Sequence, residues 1–166
     1  MWHTNLDQAA DGVSQVLAEE LGLTDISALP GTDLGKGGLL PAPMTLAELV
    51  DQTARVLSTP AQRYFGDGEQ MIERVAVCGG SGGSLVAAAA QWGAQVLITG
   101  DIGYHDLLEA RNRKLNLVDA GHAETEQPLV GNLAAYISSR AGQEGWELHC
   151  LNSLIPAPQW DFYHPV

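Results

Sequence analysis

Arg74-Val75-Ala76-Val77-Cys78-Gly79-Gly80-Ser81-Gly82-Gly83-Ser84, followed by Gln95-Val96-Leu97-Ile98-Thr99-Gly100-Asp101 and Leu115-Asn116-Leu117-Val118-Asp119, sets the fold class. Each of these three stretches is a short apolar run that ends in glycine or aspartate, and the segments between them carry helical periodicity. Such alternation is the pattern of parallel strands joined by crossover helices, that is, an α/β fold. The expected elements are strands over 74–78, 95–99 and 115–119, with helices over about 84–92, 104–113 and 126–141. A last strand is expected over 146–151, and the proline- and aromatic-rich tail 156–166 is expected to pack irregularly over the core.

Upstream, Val13, Val16, Leu17 and Leu21 repeat at helical spacing and Gly22 closes them, which predicts a helix over 11–21. Asp7 then falls in a strand-to-helix connection. A proline- and glycine-rich passage from Leu29 to Pro43 leads to Thr45-Leu46-Ala47-Glu48, a capping box, and Leu46, Leu49, Val50, Val56 and Leu57 continue one helical face. Residues 62–65 are a candidate short strand closed by the turn Gly66-Asp67-Gly68.

Composition narrows the function classes. The chain has 166 residues, 45% of them apolar, with eight Lys and Arg against twenty Asp and Glu, for a net charge of −12. That charge repels phosphate backbones and anionic lipids, so nucleic acid and membrane partners are disfavoured and cations are favoured. No stretch approaches the roughly 18 apolar residues of a membrane span and no basic, apolar leader opens the chain, so the cytoplasm is the expected compartment. Cys78 and Cys150 lie 72 positions apart, neither a zinc pair nor a disulfide framework, and are expected to be reduced.

In a parallel sheet the segments after the three central strands emerge together at the carboxyl ends, where α/β proteins build their sites. The third of them, Asp119-Ala120-Gly121-His122-Ala123-Glu124-Thr125-Glu126, sets an imidazole and a carboxylate four residues apart. In a helical turn His122 and Glu126 share one face and can reach one cation. Five histidines and ten glutamates give about 0.3 chance matches to this spacing, so its position at a strand end carries the argument. The glycine run 79–83 either presents backbone N–H groups to an anion or allows close strand-to-helix packing; it lacks both the phosphate-loop lysine and a spaced GxGxxG. Asp101 is a candidate N-cap for the helix opened by Tyr104-His105-Asp106, and His105 is either a surface residue or a catalyst. His3 and Asp7 repeat the four-residue spacing, with Asp7 also suited to capping the next helix, while His149 and His164 are structural.

Four segments, His3-Thr4-Asn5-Leu6-Asp7, Arg74 to Ser84, Thr99-Gly100-Asp101 with Tyr104-His105-Asp106, and Asp119-Ala120-Gly121-His122 with Glu126, together resemble the NIF-three-like dinuclear-metal-centre family. Its members are often labelled GTP cyclohydrolase I type 2 homologues. The resemblance runs from His3 to about Arg140 and implies an α/β fold of two similar halves, a cleft holding two adjacent divalent metals, and homo-oligomeric rings, commonly hexamers. It implies Asp7, His122 and Glu126 as metal ligands and His105 as a residue for substrate contact or proton transfer. On this reading 1–43 is the remainder of a first half with its connection, and 44–166 is the second half.

The family's adjacent histidine pair would precede His3, and no such pair occurs in this sequence. The chain is therefore expected to be a C-terminal portion lacking the N-terminal part, or a degenerate member. Its expected function is metal-dependent hydrolysis of an undetermined small-molecule substrate at an incomplete dinuclear site, with zinc, manganese or iron as the cofactor. The alternative is a non-enzymatic oligomeric assembly protein that keeps the fold.

Overall fold

The computed structural model describes residues 4–59 and 62–153; His3, His164 and the tail 156–166 lie outside them. The elements are α1 (Thr4–Asp7), α2 (Val13–Glu20), β1 (Thr24–Ala28), β2 (Lys36–Thr45), α3 (Leu46–Val56), β3 (Arg63–Phe65), β4 (Met71–Ser81), α4 (Val86–Trp92), β5 (Val96–Gly100), α5 (Tyr104–Arg113), β6 (Asn116–Asp119), α6 (His122–Glu126) and α7 (Pro128–Glu144). Six strands form one sheet in the order β1-β2-β4-β5-β6-β3. The central strands β4, β5 and β6 are parallel, whereas β1, β2 and β3 run antiparallel to their neighbours, so the sheet is mixed.

The central strands are apolar without alternation because both faces are covered. Successive side chains point to opposite faces. Val75, Val77, Val96, Ile98 and Val118 pack with Leu17 of α2, Leu21 at its C-cap, and Leu46 and Leu49 of α3. Ala76, Cys78, Leu97 and Leu117 pack on the other side with Val86 and Ala89 of α4 and Ala110 of α5. The capping box forms as the sequence indicates: Glu48 N donates to Thr45 Oγ1 at 3.2 Å and Thr45 N donates to Glu48 Oε2 at 2.8 Å. The Thr45 N–H, and after it the Thr45 hydroxyl, which donates to the same Oε2 at 2.9 Å, hold the Glu48 carboxyl below its usual range.

Two strands were not anticipated, and two expectations are corrected. The passage around Pro41 and Pro43 contains a strand, β2, whose register with β4 jumps between Leu39↔Arg74 and Met44↔Ile72. Both prolines sit inside that interruption, where no ladder N–H is required of them. β1 carries no apolar pattern that marks it as a strand, since four of its five residues are exposed and only Ile26 is half-buried. Residues 146–151 form no strand: Gly145 ends α7 in a left-handed conformation at φ 72°, and Trp146, Leu148 and Leu151 remain exposed and pair with no strand of the sheet. Asp7 ends a short helix rather than lying in a strand-to-helix connection, and Gly12, not Asp7, occupies the N-cap of α2.

Among the described residues no helix is long and apolar enough to cross a membrane.

Candidate functional site

β4 continues through the glycine run to Ser81, and its pairing with β5 shifts between Val77 and Ser81. Gly80 occupies this irregularity at φ +68°. A side chain is disfavoured there by that φ, and a Cβ would also stand 2.6 Å from Glu126 Oε1 and 3.3 Å from His122 Nε2, so the Glu126 carboxylate would have to move to admit it. The Gly80 peptide is fixed from both sides: its N–H donates to Thr125 Oγ1 at 2.9 Å, and its carbonyl accepts from Thr99 Oγ1 at 3.0 Å. Gly79, Gly82 and Gly83 are filled against Val13, Thr99 and Asp106 respectively. Close packing is therefore what the glycine run does in this fold.

His122 opens α6 directly above this strand end. A Cβ on Gly100 would lie 2.6 Å from the His122 backbone nitrogen, so the helix start rests on bare backbone. Thr125 is fully buried, and its hydroxyl donates to the Gly121 and His122 carbonyls at 2.8 and 2.9 Å. With its bond from Gly80 N, one threonine ties α6 to β4.

The imidazole of His122 lies between two carboxylates. Nδ1 is 2.6 Å from Asp101 Oδ2, and Nε2 is 3.3 Å from Glu126 Oε1. The Asp101 hydrogen bond raises the His122 pKa most, burial opposes it, and the Glu126 charge adds to the rise. Asp101 adopts a left-handed backbone at φ 54°, which aspartate tolerates better than most residues. The N-cap of α5 is Gly103, whose N–H donates to Asp106 Oδ2 at 2.8 Å, so Asp101 serves His122 and not the helix start. The three side chains are each about half-exposed and thus open to an entering ion.

Asp7 and Glu126 both act on Cys78. Burial pushes this thiol up to about 11, and the charges of Asp7 and Glu126 push in the same direction. Among the described residues, no group of three or more His, Cys, Asp or Glu side chains is closed in a metal-holding arrangement. His105, on the first turn of α5, is exposed, its ring edge-to-face with Tyr104 at a centroid distance of 5.7 Å. His149 is exposed in the segment after α7.

Sequence reasoning found His122 and Glu126 as a pair but assigned Asp101 to capping and passed over Thr125 and Thr99. Their partners lie 21, 45 and 19 positions away, and no local pattern marks them.

The sequence pattern of Duf34/NIF3 (NGG1p interacting factor 3) matches residues 1–158. A protein of Nostoc sp. named GTP cyclohydrolase 1 type 2 homolog is 40% identical over 82% of this chain and 54% of its own length. One of Streptomyces coelicolor with the same name is 36% identical over 95% of this chain and 59% of its own. The chain thus spans little more than half the length of these curated relatives. The crystal structure of the Staphylococcus aureus hypothetical protein SA1388 superposes with a TM-score of 0.89 at 26% identity, over 97% of this chain and 67% of that one.

Proposed function

This chain belongs to the Duf34/NIF3 family, and on that premise we propose that it binds a divalent cation through His122 and Glu126, with Asp7 as a third ligand, and that the cation serves a metal-dependent hydrolysis. One observation carries the reading. Two ligands at about 2.0–2.1 Å from a tetrahedral cation stand about 3.3–3.4 Å from each other. His122 Nε2 and Glu126 Oε1 are 3.3 Å apart, already at the length of that edge.

The residues present fit the group. Asp101 accepts from Nδ1–H and so leaves the Nε2 lone pair facing Glu126, the arrangement by which a carboxylate orients a metal-ligating histidine. Gly80 leaves beneath both donors the space that a Cβ would fill. Nitrogen and oxygen donors without thiolate suit zinc, manganese or iron. A bound cation supplies a lowered water pKa and polarisation of a substrate oxygen.

The protein's own part in the reaction is positioning and proton handling. Asp101 keeps the imidazole in one orientation, Thr125 ties α6 to β4, Thr99 ties β5 to β4, and His105 is assigned proton transfer from the first turn of α5. The three donors of this set are those of a single cation, so one tightly held metal per set is the expected stoichiometry. Both described cysteines are free thiols, which supports a reducing, cytoplasmic setting.

The test is elemental analysis and thermal melting of untagged protein with zinc and manganese. His122→Ala is expected to abolish most of the metal-induced rise in melting temperature, whereas His149→Ala leaves it intact. Equal responses in the two variants refute the assignment.

A second reading, a homo-oligomeric assembly protein without a working metal site, draws support from apolar side chains left in water. Tyr136 of α7 is 67% exposed, and Trp146 and Leu151 after it are 58% and 92% exposed, the kind of surface that self-association covers. Sedimentation of the untagged chain with and without metal separates the two.

A further inference from the structure

Beside the His122 cluster, on the α5 side of the sheet, lies a cleft of about 250 Å³ between β3, β6 and the loop that leads into α5. Its walls are Phe65, Ile102, Leu107 and Leu117, and Arg63 and Asp119 stand at its rim. We propose that this cleft binds a small aromatic acid, with the ring between the apolar walls and the anionic oxygens on the Arg63 guanidinium.

Size and polarity set the ligand class. Pockets for drug-sized molecules start at roughly 300 Å³, so a cleft below that takes a single ring system rather than an extended ligand. The polar chemistry at the rim is unequal. Asp119 is only 11% exposed, and its carboxylate is already occupied: it pairs with Arg63 Nη2 and accepts from Ile102 N at 3.4 Å and Gly121 N at 3.3 Å. Arg63, by contrast, is 74% exposed, and a guanidinium carries five N–H donors in a planar fork. The pair with Asp119 uses one nitrogen of that fork, so an incoming carboxylate or phosphate meets unspent donors in a charge-assisted geometry. The ion pair also neutralises the aspartate, so an anion is not repelled at the rim despite the chain's net charge of −12.

The cleft is joined to the metal-binding candidate through backbone. Ile102 of its wall follows Asp101, the partner of His122 Nδ1, and Asp119 accepts from the N–H of Gly121, which precedes His122. Consecutive Cα atoms are about 3.8 Å apart, so a ligand held by Ile102 is a near neighbour of the histidine cluster. That this ligand is the substrate rests on the metal-site reading. That it binds does not.

The test uses metal-free, untagged full chain labelled with nitrogen-15 and titrated with benzoate, phenyl phosphate, benzamide and inorganic phosphate. Benzoate or phenyl phosphate is expected to shift the amides of Phe65, Ile102 and Leu117 saturably in the low-millimolar range, and the stronger of the two identifies the anionic group. Arg63→Gln should weaken the acid roughly tenfold while leaving benzamide unchanged, since only the charge-assisted contact is lost. Leu107→Trp should abolish both by filling the cleft, with unchanged melting temperature showing that it folds. His122→Ala should bind the acid as the parent does, so that a failed metal site and a failed cleft give different results. Inorganic phosphate binding as well as phenyl phosphate, benzamide binding as well as benzoate, or shifts that ignore both cleft substitutions would each overturn the proposal.

Discussion

Gly80→Ala tests the most specific geometric claim about the site. The Gly80 backbone is left-handed at φ +68°, where an L side chain costs about 1–2 kcal/mol. The peptide cannot rotate away cheaply, because its N–H is held by Thr125 and its carbonyl by Thr99. A destabilisation of about 1–2 kcal/mol follows, or a fall of roughly 2–8 °C in melting temperature for a domain of this size. The new methyl would also stand 2.6 Å from Glu126 Oε1 where ordinary contact begins at 3.4 Å, so that oxygen must retreat by about 0.8 Å. Ligand constellations tolerate about 0.5 Å, and metal affinity should drop tenfold or more. Gly131→Ala is the control of opposite sign: it lies inside α7 with open space around it, so alanine should stabilise by about 0.5–1 kcal/mol. Urea denaturation and isothermal titration with zinc measure both quantities. A Gly80→Ala protein as stable as the parent, with undiminished zinc affinity, would refute the argument that this backbone and Glu126 compete for one space.

Two more expectations concern the supports of the site. Thr125→Val keeps the shape but removes the acceptor for Gly80 N, leaving a buried N–H unpaired; a loss of about 1–3 kcal/mol is expected, with faster hydrogen exchange at Gly80. For Cys78, burial first, and then the Asp7 and Glu126 charges, raise the thiol from 9.0 to about 11, while the Ser14 and Thr99 hydroxyls lower it in part. The folded state therefore keeps a proton that the unfolded state loses, so stability is full below pH 9 and declines by roughly 2–3 kcal/mol between pH 9 and 11. Cys78→Ala should flatten that decline in denaturation curves, and a thiol reagent at pH 8 should leave Cys78 unmodified in the folded protein.

The parts of the fold legible in sequence are those whose environment is uniform along the element. β4, β5 and β6 are covered on both faces, so burial writes itself as unbroken runs such as Val96-Leu97-Ile98, and the capping box at Thr45 marks α3 by bonds between near neighbours. β2 hid because its prolines sit in a register break, and β1 because an edge strand with exposed residues carries little apolar signal. The alternation of Trp146, Leu148 and Cys150 misled for the converse reason: a period of two yields a strand only where the chain lays the segment along a sheet edge, and here it follows the end of α7 without pairing.

The site divides along the same line. His122 and Glu126 are legible because a helix fixes the relation of residues four apart wherever it is placed. Asp101 is not, because its direction depends on a left-handed turn and on where α6 lands across the sheet. Once the fold sets Asp101 on Nδ1, the other ring nitrogen has one neighbour left, Glu126, at the spacing of two metal ligands. Without a cation, a proton on the imidazole serves both carboxylates, which is why their presence raises its pKa. The same two carboxylates that favour the proton also favour a divalent ion, and the more highly charged occupant gains more from them. On the proposed reading, metal and proton therefore compete for a single position between His122 and Glu126.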